Sequence, residues 1–400
     1  AVEEITLAGA RRLRVGTRRE AGGEEIEAGV AVRDITPQEP IWMDGYGSRD
    51  HLSEGVYAPL SARALALRSG GSSAVIVVAD VLNFDREQEA SLREAICAET
   101  GLPAQGVILC ATHTHCGPRV ADLLMPGERD LAYLAHLAGE MRAAAQEALA
   151  GLRPAALSFS RTRSAFGISR RLPNGEGGIR FWPNPEGVID RDLDTYWICE
   201  SGGAPLASVT VYGCHPTSRS GYLLGPDYPG FVRAGIERDW GGTALFLTGC
   251  GGNIRPAFLD AKGGFRSATV AEVEEAGAAI AAEALAGRSR ATALEEPRVL
   301  PTLGTAPLPI EEPLDRAALG ALAASDKTEA EWARRMLLAL KEGPLPRMVP
   351  FTVQTLRLDE RHALAFLAGE VVTEIGLSIK QEHPYEAIST VAYSNGLVGY

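Results

Sequence analysis

No stretch of the 400 residues approaches ~20 uninterrupted apolar positions, so the sequence contains no candidate membrane-spanning helix. The six cysteines, Cys97, Cys110, Cys116, Cys199, Cys214 and Cys250, include no C-x-x-C pair, which excludes a zinc ribbon or a thioredoxin-like motif. Their even number permits disulfides without requiring them, so a secreted or periplasmic location and a cytoplasmic one both stay open. Positive charge is in deficit, with 39 Lys and Arg against 51 Asp and Glu, a net charge of −12. That balance argues against nucleic acid or an anionic membrane surface as the main partner. Internal repeats and low-complexity linkers are lacking. The chain opens on Ala-Val-Glu-Glu rather than on an initiator methionine or a signal peptide, which leaves open a leader removed ahead of residue 1. Histidine is scarce as well, seven in all, so two of them a single residue apart stand out.

What is present is an ordinary globular composition, 46% hydrophobic and 22% charged. Ala28–Ile35, Ala62–Leu67 and Ala74–Val81 read as strands, the last a continuous Val/Ile run of the kind buried on both faces. An amphipathic helix over Glu87–Thr100 and a buried strand over Gly106–Thr112 complete a β-α-β unit, which predicts a parallel pair. A long Ala-rich helix follows over Asp130–Leu152, with His136 on a helix face. Strands are expected at Ala155–Arg161, Asp194–Glu200, Leu206–Gly213, Ala244–Thr248, Val353–Leu358 and His362–Ala368. Helices are expected at Gly230–Trp240 and Val270–Leu285 and from Val371. Residues 172–190, rich in Gly, Pro and Asn, read as a loop. The expected fold class is mixed α/β, a layered mixed sheet flanked by helices. Residues 1–28 read as a lead-in and 29–400 as one domain, with a helical insertion at about 311–345.

Residues 111–118, Ala-Thr-His-Thr-His-Cys-Gly-Pro, directly follow the apolar run 106–110. Read as a strand end, this places His113 and His115 on the same side, because alternate strand residues share a face. Other apolar strands end at Cys214-His215, at Gly249-Cys250-Gly251-Gly252-Asn253 and at Gly369-Glu370. Open sheets bind ligands at the carboxyl ends of their strands, so these four ends predict one shared cleft.

Those motifs resemble the neutral/alkaline (non-lysosomal) ceramidase family. The segments Thr112–Pro118, Cys214–Ser218, Phe366–Val371 and Ser394–Tyr400 are similar to family segments, in family order. So are Val32–Pro37 and Tyr57–Arg63. The resemblance implies a ceramidase-like catalytic domain with a zinc site made by His113, His215, Glu370 and Tyr400. Imidazole and carboxylate are ordinary zinc ligands, and phenolate is a rarer one. It further implies His115 as the group that handles a proton beside the metal, and Arg170, with Arg171 as the adjacent alternative, as an oxyanion contact. Asp80 and Asp34 are candidates for orienting ligands or satisfying buried amides, with a structural role favoured for Asp34.

The chain departs from the family where ceramidases carry a proposed nucleophilic serine. Gly252-Asn253-Ile254-Arg255-Pro256 places Arg255 at the serine position and Asn253 at the preceding aspartate position. Arginine stays protonated and cannot act as nucleophile or base. Hydrolysis is therefore expected to use zinc-activated water, with Arg170, Asn253 or Arg255 steadying the oxyanion or fixing an acidic tail. A guanidinium in the pocket favours a carboxylate, phosphate or sulfate group and argues against a sphingolipid. The expected activity is zinc-dependent cleavage of an N-acyl amide in a small or lipid-like substrate, one that an acidic group would suit. The alternatives are a metal-dependent esterase, lactonase or phosphatase, and a catalytically silent binding homologue. Cys116, where the family has serine, is assigned to packing ahead of chemistry. Oligomeric state is not legible.

Overall fold

The computed structural model describes residues 2–5, 13–16, 25–312, 314–327 and 329–399. A nine-stranded mixed sheet runs in the order Thr243–Thr248, Pro205–Tyr212, Asp192–Glu200, Arg153–Arg163, Glu27–Asp34, Ser61–Ser69, Ser72–Ala79 and Val107–Ala111, with Thr292–Ala293 paired to Arg153–Arg163. A second sheet has the order Leu300–Pro309, Met348–Arg357, His362–Leu367 and Ala387–Val391. The expected mixed α/β class with layered sheets is what forms.

The strand Ser72–Ala79 shows why the layers stack. Its β-branched run suits a pleated surface, and both faces are apolar. Val75, Val77 and Ala79 pack with Leu92, Ile96, Leu137 and Met141 of the helices Arg86–Thr100 and Leu131–Ala150. Ile76 and Val78 face the other way, into a core shared with Leu356, Leu364 and Phe366 of the second sheet. The helix Arg86–Thr100 begins at a capping box, in which Asp85 accepts from the Gln88 N–H and Gln88 accepts from the Asp85 N–H. It ends on Gly101 at φ 72°, and the chain returns to pair Val107–Ala111 parallel to Ser72–Ala79, as expected. Over the other half of the large sheet, the helices Asp227–Asp239 and Val270–Arg288 cover Trp197 and Phe246.

Val107–Ala111 and Thr243–Thr248 are opposite edges of the large sheet, yet the two meet. The Thr248 hydroxyl donates to the Thr112 carbonyl at 2.6 Å. Between them runs the chain after Ala387–Val391: Ala392 N–H bonds Thr248 O, Ala111 N–H bonds Tyr393 O, and Asn395 N–H bonds Leu109 O, at 2.9–3.0 Å. This closure satisfies edge groups that would otherwise be exposed. It also gathers the ends bearing His113, His215, Gly249–Asn253 and Glu370 on one rim.

The closure is locked by a buried ion pair. Arg233, on the helix Asp227–Asp239, donates to both oxygens of Asp80 at 2.9 and 2.7 Å, and Ser61 and Thr112 complete the carboxylate's hydrogen bonds. Asp80→Asn leaves the Arg233 charge buried and unpaired, which should lower unfolding stability by roughly 3–5 kcal/mol in a urea titration. A loss below about 1 kcal/mol contradicts this role. Asp34 instead accepts from the Thr36 N–H at an exposed turn.

One expectation differs from what forms, and two strands lie where none was expected. The stretch 172–190 holds part of a hairpin, Gly167–Pro173 with Ile179–Asn184, rather than a loop throughout. Turn chemistry explains it: Asn174 Oδ1 accepts from both Glu176 and Gly178 N–H, and Gly175 and Gly177 adopt positive φ. Ile254–Pro256 joins this hairpin as a third strand. The strand Leu300–Pro309 carries prolines because it lies at a sheet edge, where a missing N–H costs no ladder bond. Helices Arg316–Ala323 and Ala330–Glu342 lie between Leu300–Pro309 and Met348–Arg357, within the stretch read as a helical insertion. Of the expected lead-in, Val2–Ile5 and Leu13–Gly16 pair antiparallel, and residues 6–12 and 17–24 lie outside the described residues. No described helix is long and apolar enough to cross a membrane.

Candidate metal centre

The strand Val107–Ala111 stops before the paired histidines, so strand alternation does not align them. His113 adopts φ 65°, a left-handed conformation that is strained for a residue with a Cβ. Its N–H is held on Val81 O, and the His115 N–H on Pro216 O. The chain thus turns back at His113, and the two rings meet edge to face with centroids 5.0 Å apart. His215 enters from the end of Pro205–Tyr212, with its N–H on Ile254 O and its ring 5.0 Å from that of His113.

Each ring is oriented in the same way. Nδ1 of His113 faces Leu82 O at 2.8 Å, Nδ1 of His115 faces Gly45 O at 2.9 Å, and Nδ1 of His215 faces Gly251 O at 2.9 Å. A carbonyl only accepts, so each Nδ1 carries the proton and each Nε2 presents a lone pair. The His115 seat requires glycine: Gly45 has φ 103°, and a Cβ there would lie 2.6 Å from the ring.

The ligand atoms of His113, His115 and His215 all lie within 4.8 Å of one another. Glu370 joins them, with Oε2 at 3.4 Å from His113 Nε2 and Oε1 at 3.4 Å from His215 Nε2. At that distance His215 Nε2, fully buried, has no hydrogen-bond partner. His113 and His115 Nε2 are likewise only 3.4 Å apart. Three imidazole lone pairs and a carboxylate therefore converge with no hydrogen between them. Such a set of acceptors repels itself unless a cation sits among them, and imidazole nitrogen with carboxylate oxygen is a donor set that zinc accepts.

The electrostatics agree. Burial pushes His215 down to about 4, and burial with the neighbouring His113 and His215 rings holds His115 well below the usual histidine range. Both are thus neutral at pH 7, the form that binds metal. Burial alone would raise the Glu370 carboxyl, yet the group is held well below the ordinary carboxylate range by positive charge on its His113 and His215 side, whether a proton or a cation supplies it. Arg170, on the hairpin strand Gly167–Pro173, donates to Glu370 Oε1 at 2.8 Å.

The remaining sequence-derived residues fall in different places. Tyr400 lies outside the described residues. Both polar ends of Asn253 are engaged elsewhere: Oδ1 accepts from the Thr373 N–H at the start of the helix Thr373–Glu382, and Nδ2 donates to Glu374. The structure therefore gives Asn253 a helix-anchoring contact rather than an open donor. Arg255 points to Thr217, in the loop that follows His215. Arg171 is exposed at its side of the hairpin, unlike Arg170. Burial pushes the Cys116 thiol up to about 12, so it is not a thiolate at neutral pH. His136 stays on its helix, away from the cluster, near Tyr133.

Three neighbours of the centre were not picked out from the sequence. Tyr393, at φ 53°, stacks on His113 with centroids 3.8 Å apart. Tyr46 sets its ring 5.1 Å from that of His115. Arg49 ties the loops together, donating to the carbonyls of Asp44, His115 and Gly221. The turn-rich segment 42–47 was the available signal for Tyr46, but nothing local showed which loop it would meet.

No family model matches the chain, and no curated protein matches it. Solved structures do. Neutral ceramidase from Pseudomonas aeruginosa superposes with a TM-score of 0.69 at 18% identity, over 94% of this chain and 68% of that one. A ceramidase complexed with C2 superposes with a TM-score of 0.71 at 17% identity, over 94% of this chain and 69% of that one. At this level of identity, the likeness is one of fold.

Proposed function

We propose that the chain is a zinc-dependent hydrolase that cleaves an N-acyl amide bond in a small or lipid-like substrate. The observation that carries this reading is the convergence of the His113, His115 and His215 Nε2 atoms, with the Glu370 carboxylate 3.4 Å from two of them and each Nδ1 proton already given to a carbonyl. Similarity of fold to two proteins named as ceramidases adds support.

In this reading, His113, His215 and Glu370 hold the ion, and Tyr400 is the fourth ligand by resemblance. Zinc bound there supplies a Lewis acid and lowers the pKa of water toward neutrality. The division among the histidines has a geometric basis. Glu370 contacts His113 and His215, and no such contact to His115 occurs among the described residues. His115 Nε2 is therefore the base that accepts the proton of the attacking water and returns it to the leaving amine. Its Gly45 hydrogen bond keeps the correct tautomer through that exchange. Arg170, held in place by Glu370, directs its remaining N–H groups at the developing oxyanion.

The test is metal content by elemental analysis together with turnover of matched amides and esters, with and without chelator. The expected result is about one zinc per chain, amide turnover abolished by chelation, and recovery on adding zinc. Absence of stoichiometric zinc together with chelator-insensitive activity would overturn the reading. Cleavage of esters alone would transfer the same centre to an esterase.

A further inference from the structure

Arg255 lies on the strand Ile254–Pro256, which pairs with Gly167–Ser169, so it is carried on the same small sheet as Arg170. The two guanidiniums share the Phe181 ring, each centred 5.6 Å from its centroid. Phe265 stands beside Phe181, centroids 5.7 Å apart, and meets Arg255 at 4.8 Å. The Arg170 charge is answered by Glu370. Arg255 makes no ion pair among the described residues. Its Nε and Nη2 donate to the side chain and carbonyl of Thr217, both at 3.1 Å. A guanidinium has five N–H groups, so three are left without a described partner, including the pair at the Nη1–Nη2 end.

Position ties this group to the centre. Thr217 is two residues from His215, whose N–H rests on Ile254 O at 3.1 Å. Phe181 is more than half exposed, so the aromatic wall beside Arg255 opens to solvent. Burial, with the charge of Arg170, presses the Arg255 guanidinium below its ordinary range, and Tyr46, Cys214 and the buried Asp227 offset part of that effect. A positive charge partly withdrawn from water, oriented by Thr217, set against two adjoining rings and making no ion pair among the described residues is a built anion subsite.

We infer that Arg255 is a specificity-determining residue, and that it selects substrates carrying an anionic oxygen group, a carboxylate foremost. The free Nη1–Nη2 edge matches the two oxygens of a carboxylate in a fork-to-fork pair. This inference rests on the hydrolase reading above and adds the class of substrate to it.

Isothermal titration of the zinc-loaded full chain separates the two. N-octanoylglycine is compared with neutral N-octanoylglycinamide, with N-octanoyltaurine and N-octanoyl-phosphoethanolamine as sulfonate and phosphate arms. The carboxylate probe should bind roughly 10- to 100-fold more tightly than the amide, the range set by a charge-assisted pair. Arg255→Gln should bring that ratio close to one with metal content unchanged, and Arg255→Lys should retain only part of it. A change of ratio between probes is not produced by a general loss of folding. A ratio near one in the unmodified protein overturns the inference without any variant, as does an undiminished ratio in Arg255→Gln. Tighter binding of the sulfonate or phosphate arm overturns the carboxylate assignment. Cleavage is followed in parallel: selective binding without cleavage overturns the hydrolase reading alone, and cleavage without selectivity overturns this one alone.

Discussion

His215→Ala is expected to lose bound zinc and to reduce amide turnover on the order of 10³-fold, the several kcal/mol that a catalytic metal contributes. His215 is the sharpest place to test the centre because its Nε2 is fully buried and has no hydrogen-bond partner. A purely structural histidine would leave no such orphan, since a buried polar atom without a partner costs about 1–3 kcal/mol. His113 deserves a parallel variant with different chemistry. Its φ of 65° suits asparagine better than alanine, so His113→Asn removes the ligand with less backbone strain. Both variants should also lose a thermal shift. Zinc at about 1,000 times its dissociation constant stabilises the folded chain by about 4 kcal/mol, and chelation should remove that gain from the unmodified protein only. Variants that keep stoichiometric zinc and normal turnover would sink the assignment.

Glu370→Gln is expected to weaken zinc binding by at least about 100-fold while the side-chain volume is preserved. The carboxylate spans two histidines, 3.4 Å from each, and pairs with Arg170 at 2.8 Å. An amide has one acceptor atom where the carboxylate has two, and it brings no charge. The substitution therefore removes the centre's anion and leaves Arg170 without its partner. Competition against a chromophoric chelator measures the affinity directly, independent of any substrate. If zinc affinity is unchanged and only turnover falls, Glu370 acts on substrate rather than on the ion.

Much of this architecture is legible in the sequence because the forces that set it are local. The Ala-Val-Ile-Val-Val-Ala run of Ser72–Ala79 announces a doubly buried strand, since its period and branching leave no other stable placement. Asp85 and Gln88 mark a helix start by a capping pattern three residues long. The hairpin within 172–190 is not legible in the sequence because its cue is the Asn174 turn, whereas its flanking strands are only partly buried and carry little apolar alternation. Leu300–Pro309 was missed because prolines hide an edge strand.

The site divides along the same line. The residue types, an H-x-H pair, a second histidine after a strand and a glutamate after another, can be read along the chain. Convergence cannot be, because His113 and Glu370 are far apart in sequence and meet only when opposite edges of the large sheet close through Val391–Asn395. The roles of Asn253 and Arg255 illustrate the difference most clearly. Neighbouring motif positions suggest similar duties, yet one is turned into a helix start and the other toward Thr217 beside two rings. Sequence alone determined which chemistry the chain can support, since side-chain type sets donor, charge and period. Only tertiary structure decided which donors face one another, because that depends on long-range closure of a sheet and on a backbone turn at His113 that no local pattern encodes.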